Sequence, residues 1–122
     1  MLKNKPTVVI GASPNSERYS YKAVLSLFNN NHVVYPIGIK KGKIEHLEIN
    51  TTKPFIAEID TVTLYVGPSY QEEWYDYIIS LKPKRVIFNP GTENRSFMDT
   101  LNKLGIETIE ACTLVMLATK QY

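Results

Sequence analysis

The stretch Thr7-Val8-Val9-Ile10-Gly11-Ala12-Ser13-Pro14-Asn15-Ser16-Glu17-Arg18-Tyr19-Ser20-Tyr21 decides the fold. Its first four residues are all β-branched and read as a short buried strand. The strand ends at Gly11, and small and polar residues follow. Beyond them Tyr21, Val24, Leu25 and Phe28 recur at the i, i+3, i+4, i+7 spacing of one helix face. Strand, small-residue loop and helix in that order open a βαβ unit. Small residues at such a junction let backbone N–H groups approach an anion, and the helix N-terminus adds partial positive charge. Ser13, Ser16 and Ser20 offer hydroxyls, and Arg18 can grip phosphate oxygens in pairs. Ser20 also reads as the helix N-cap. The loop is not GxGxxG, since Gly11 is its one glycine.

Working outward, strand and helix patterns alternate. His32-Val33-Val34-Tyr35 reads as a second strand, closed by Pro36, which has no N–H for a ladder. Residues 37–54 read as loop, with Gly38 and Gly42 among lysines. Thr61 to Val66 is a third strand ending at Gly67-Pro68. Trp74, Tyr77, Ile78 and Leu81 mark a second helix, stopped before Lys82-Pro83. Arg85 to Phe88 is a fourth strand ending at Asn89-Pro90-Gly91. Phe97, Met98, Leu101 and Leu104 mark a third helix, with Gly105 as a left-handed C-terminal cap. Ile106 to Ile109 is a fifth strand, and Thr113 to Ala118 a short apolar tail. Apolar strands separated by amphipathic helices imply an α/β fold: a doubly wound, Rossmann-like parallel sheet of about five strands in three α/β/α layers. Ligands of such sheets sit beyond the C-terminal strand ends, where strand order reverses.

Composition narrows the classes. The 122 residues fit one domain, residues 1–122. With 43% apolar and 21% charged residues the chain is globular rather than disordered. No apolar run approaches the roughly 18 residues of a membrane span. Met1-Leu2-Lys3-Asn4-Lys5-Pro6 leads into too short an apolar run for a signal peptide, so the cytoplasm is the expected compartment. One cysteine, Cys112, excludes an internal disulfide framework and a multi-cysteine metal site, and no metal site is expected. A net charge of +2 is too mild to indicate nucleic acid. Its distribution is informative: Arg18, Lys22, Lys40, Lys41 and Lys43 fall in a stretch with no acidic residue up to Ile44. Singly these are solvated surface charges; as a block they suggest a nearby anion.

The second strand end bears on which anion. A NAD site usually carries Asp or Glu there for the ribose diol. Here Val34-Tyr35-Pro36 has no carboxylate, and lysines follow. Cations at this point favour a phosphorylated adenosine ribose, as in coenzyme A or NADP.

The order and spacing of Val9-Ile10-Gly11-Ala12-Ser13-Pro14, Arg18 with Ser20-Tyr21, Val34-Tyr35-Pro36-Ile37, Val66-Gly67-Pro68, Asn89-Pro90-Gly91, Gly105-Ile106 and Glu110-Ala111-Cys112 resemble the small CoA-binding domain proteins. Their Rossmann-like fold is shared with the N-terminal domain of the succinyl-CoA synthetase alpha subunit. The resemblance runs from about Lys5 to Ala118. It implies a CoA or acyl-CoA ligand at the switch point. It places Gly11, Ala12 and Ser13 against phosphates, Arg18 and Lys40 as phosphate partners, and Ser20 nearby. Pro36 would lie near adenine, Val66 and Pro68 would border the ligand, and Asn89, Pro90 and Gly91 would line the pantetheine side. After Pro36 the family often has Val-Asn-Pro, where this chain has Ile37-Gly38-Ile39.

Catalytic candidates are thin. Acyl transfer or hydrolysis wants a base beside a nucleophile. His32 and His46 lie near no serine or cysteine in such a pattern and read as surface histidines. Cys112 reads as a small, partly buried residue; a sharper reading has it face the CoA thiol. Trp74, Tyr75 and Tyr77 read as core packing or, alternatively, as a homodimer face. The expected function is a non-catalytic or accessory CoA-binding protein. A small NADP-linked oxidoreductase is the alternative, and a regulatory module that has lost its ligand the third. Neither a membrane nor a nucleic-acid partner is expected.

Overall fold

The structure is a computed structural model that describes residues 3–122; Met1 and Leu2, which open the stretch read above as lacking a leader, lie outside the described residues. In chain order the elements are β1 (Thr7–Ile10), α1 (Tyr19–Asn29), β2 (Val34–Ile37), β3 (Lys43–Ile44), β4 (Leu47–Glu48), β5 (Thr61–Leu64), α2 (Tyr75–Leu81), β6 (Arg85–Phe88), α3 (Arg95–Lys103), β7 (Glu107–Glu110) and α4 (Thr113–Ala118). Two 3-10 turns, Pro68–Tyr70 and Glu72–Trp74, lead into α2. The large sheet is parallel throughout, in the order β2-β1-β5-β6-β7. From β1 the chain first moves to β2, then crosses back to β5 and continues the other way. The reversal opens a crevice at the C-terminal ends of β1 and β5.

Alternation along the strands divides the core. Val8, Ile10, Val62, Leu64, Val86 and Phe88 meet Trp74, Ile78, Leu81, Phe97 and Leu101 from the α2–α3 side. Val9 and Val34 pack against Val24 and Leu27 of α1 and Leu117 of α4. Each such buried side chain contributes roughly 1.5–3 kcal/mol, so neither helical layer is dispensable. The result is the expected doubly wound α/β/α arrangement. No helix among the described residues is long and apolar enough to cross a membrane.

Four local expectations are corrected. Pro36 lies inside β2 rather than closing it. β2 is an edge strand, and the Pro36 carbonyl accepts from the Asn50 N–H (3.0 Å) on the side away from β1. A missing N–H costs nothing there. The buried face of α1 is Ser20, Ala23, Val24 and Leu27, whereas Phe28 is 43% exposed and meets His46 edge-on. Small Ser20 and Ala23 let α1 sit close to the sheet, which a count of large apolar residues overlooks. Residues 37–54 hold the β3–β4 hairpin, whose two-residue strands are too short to show alternation. The apolar tail is α4, which packs beside α1.

The aromatic cluster on the second helix turns inward. Trp74 and Tyr77 are buried, and Tyr75 stacks on Phe97 with ring centroids 4.0 Å apart. The core-packing reading holds, and these three rings do not form an outward dimer face.

Candidate functional site

Glycine brings three loops together at the switch point. Gly11 has φ +95, and its N–H and that of Ala12 both donate to the Ile37 carbonyl (2.9 Å each). A Cβ on Gly11 would stand 2.9 Å from the Tyr65 backbone, and one on Gly38 would stand 2.1 Å from the Ala12 carbonyl oxygen. The loops after β1, β2 and β5 therefore touch backbone to backbone, and only glycine fits the contacts.

The descent into α1 is shaped by local bonds. The Ser13 hydroxyl accepts from the Asn15 N–H (3.1 Å), and the Asn15 side-chain oxygen accepts from the Glu17 N–H (3.0 Å). Arg18 occupies the N-cap position with no side-chain cap bond. Ser20 is buried within the first turn of α1, so it is not the N-cap. The N–H groups of Tyr19, Ser20 and Tyr21 find no acceptor among the described residues. Three free donors and the helix dipole thus converge on one spot.

That spot opens into a cavity of about 520 Å³. Seven of the expected ligand residues line it: Gly11, Ala12, Ser13, Arg18, Ser20, Lys40 and Val66. Gly38 and Ile39 from the β2 loop join them, as do Tyr65 and Gly67 after β5. Tyr19, Tyr70, Glu73 and Trp74 complete the wall. Arg18 and Lys40 form no ion pair among the described residues, whereas Lys43 pairs with Glu48 (3.9 Å). Lys22 stands over the Tyr19 ring, 5.5 Å from its centroid.

Five expected residues lie off the cavity wall. Pro36 is buried within β2. Pro68 starts the 3-10 turn between Gly67 and Tyr70 and is exposed. Pro90 and Gly91 are exposed beyond β6, where the Gly91 N–H donates to Glu93 (2.8 Å). Asn89 is 1% exposed, and its amide donates to the Thr63 hydroxyl (2.6 Å) and the Leu64 carbonyl (2.8 Å). Its carbonyl accepts from the Thr113 N–H (2.9 Å), tying β6 to β5 and α4. A side chain so engaged has little left for a ligand. Cys112, just before α4, is also off the wall.

The sequence reading missed most of the apolar rim. Of the large apolar side chains left exposed, Tyr19 (70%), Ile39 (84%) and Tyr70 (73%) all line this one cavity. Three flat or branched side chains held in water around a cationic corner can cover the apolar part of a ligand. No periodicity marks them, because they sit on loops and at a helix start. Beneath them the Tyr65 hydroxyl is buried without a hydrogen bond. Burial pushes it well above the ordinary phenol range, only partly offset by the Thr113 and Thr63 hydroxyls, so it stays protonated. Glu73 is the one carboxylate on the wall, and its backbone carbonyl accepts from Lys53, whose ammonium lies 4.7 Å from the Trp74 ring centroid.

The fold has counterparts among solved structures. A crystal structure of an uncharacterized protein superposes with a TM-score of 0.97 at 45% identity, covering 99% of this chain and 100% of that one. A hypothetical protein from Pyrococcus horikoshii OT3 gives 0.86 at 23% identity, covering 96% and 84%. The structure of cell-free ID.343 from Thermus thermophilus gives 0.84 at 18%, covering 98% and 91%. At the identities of these last two the likeness is one of fold alone. No curated protein matches the chain. The family described as CoA binding domain matches residues 5–118. With nearly the whole chain inside that match, the protein belongs to the CoA binding domain family.

Proposed function

We propose that the protein binds coenzyme A or an acyl-CoA in the cavity at the β1–β5 switch point, as an accessory or non-catalytic protein. The observation that carries this is the meeting of three unpartnered α1 N–H groups with Arg18 and Lys40 beside an apolar rim. Gly11, Ala12, Ser13 and the start of α1 would meet the diphosphate. Arg18 and Lys40 supply the mobile charge for a further phosphate. Tyr19, Ile39 and Tyr70 would cover apolar parts of the ligand. The residues fit the group, and CoA when bound contributes a thiol able to carry an acyl chain. Pro36, Pro68, Asn89, Pro90 and Gly91 act in this reading by fixing the loops, not by direct contact. Family membership supports the ligand class.

Calorimetric titration with CoA, dephospho-CoA and NADP tests the reading. CoA should bind most tightly. Removing its 3′-phosphate should cost about 1.5–3 kcal/mol, the range for hydrogen bonds to charged groups. Tighter binding of NADP would favour an NADP-linked protein, and silence with all three would point to a module without this ligand.

A further inference from the structure

The switch-point cavity is walled off from the interior of the fold. Its floor is backbone, where Gly11 meets Tyr65 and Gly38 meets Ala12, and the Tyr65 hydroxyl beneath is buried. On the β2 side Gly42, just ahead of β3, packs on the β1 loop: a Cβ there would stand 2.7 Å from the Pro14 Cβ. On the β6 side two buried amides fill the way along the sheet edge. Gln71 is 0% exposed. Its side-chain N–H groups donate to the Val66 carbonyl (2.8 Å) and the Thr92 carbonyl (2.6 Å), and its oxygen accepts from Asn94 (3.1 Å). Asn89, at the end of β6, spends its side chain on Thr63, Leu64 and Thr113. Moving either amide aside would leave buried backbone carbonyls without donors, so these plugs stay shut.

The groups that can hold anions gather at one end of the cavity, at Arg18, Lys40 and the start of α1. The rim at Ile39 (84% exposed) and Tyr70 (73%) faces water. About 520 Å³ lies within the range that encloses a drug-sized ligand. CoA is longer than that, a nucleotide diphosphate extended by a pantetheine arm. Building on the CoA reading, we propose that the protein holds CoA by its nucleotide end, with the arm leaving over Ile39 and Tyr70 and the thiol, free or acylated, standing in solvent. The ligand class is then CoA and its thioesters without regard to the acyl chain. A bound thioester is open to a second protein without first being released.

The test reads the thiol directly. Cys112→Ser makes CoA the one thiol in the sample, since the chain has a single cysteine and it lies off the cavity wall. CoA held by an excess of this variant is treated with an aromatic disulfide reagent. The CoA thiolate attacks one sulfur, forms a mixed disulfide and releases a coloured aromatic thiolate, at a rate set by access. That rate should lie within about threefold of the rate for free CoA, because an arm in water is as accessible as a free one. Calorimetry of the parent protein with CoA, acetyl-CoA and butyryl-CoA supplies the second readout. An apolar pocket discriminates single methylenes by roughly tenfold or more, whereas here the three affinities should agree within about threefold. A reaction slowed more than about tenfold, or a similar spread in affinity, would overturn the proposal while CoA binding itself stood. Absence of binding by all three would remove the CoA reading, and this proposal with it.

Discussion

Single residues divide into those that line the cavity and those that hold the loops. Arg18 is exposed at the mouth of the cavity, with no cap bond and no ion pair. Arg18→Ala should therefore weaken CoA by about 1.5–3 kcal/mol with an unchanged melting temperature; calorimetry beside thermal unfolding checks both. Gly38 does the opposite work. A methyl group there meets the Ala12 carbonyl at 2.1 Å, a backbone contact that cannot yield cheaply. Gly38→Ala should lower stability by roughly 1–3 kcal/mol, as overpacking does, and loosen the ligand with it. A variant as stable as the parent in urea would show that the loops are not in contact. At this scale Gly11, Ala12, Ser13, Arg18 and Lys40 were legible because small and cationic residues at a strand end have few other uses. Tyr70, Glu73 and Ile39 were not, since a loop residue's direction depends on contacts distant in sequence.

Elements show why the alternation could be read and its edges could not. Fully buried four-residue strands such as β1, β5 and β6 announce themselves by runs of apolar or β-branched residues. β2 extends through Pro36 only because its outer edge needs no donor, a fact of strand order and not of local sequence. The β6 end was legible as a turn, yet the role of Asn89 was not, because Thr63 and Thr113 reach it from 26 and 24 residues away. That side chain makes three bonds, two of them donated by its amide and one accepted by its carbonyl. At about 0.5–1.5 kcal/mol each, Asn89→Ala should cost roughly 2–4 kcal/mol of stability. Under conditions where the variant is folded, CoA affinity should fall far less than in Arg18→Ala. A larger loss of affinity than of stability would return Asn89 to the ligand.

The whole molecule has two polar ends separated by a double-sided apolar core. Its architecture was legible because parallel pairing and right-handed crossovers leave few ways to cover both faces of such a sheet. The far end was not, since Lys5, His32, Arg85 and Tyr122 meet only after the chain has closed. That end sets a pH dependence. Burial first, then Lys5 and Arg85, hold the His32 imidazole below its ordinary 6.5. The unfolded chain thus takes this proton more readily than the folded one. Stability contributed here is present above the ordinary value of 6.5 and is lost progressively as pH falls from there through the lower folded value. Urea midpoints measured from pH 5 to 8 should rise with pH, and His32→Gln should flatten the slope; an equal slope in the variant would assign the effect elsewhere. At the other edge, the proposed CoA site needs the start of α1 and the β1 loop to hold the ligand's phosphates. Backbone amide NMR during a CoA titration tests it most directly. The largest shifts should fall at Gly11, Ala12, Ser13, Tyr19, Ser20 and Tyr21; shifts confined to the Lys5–His32 edge, or absent altogether, would rule out phosphate binding there.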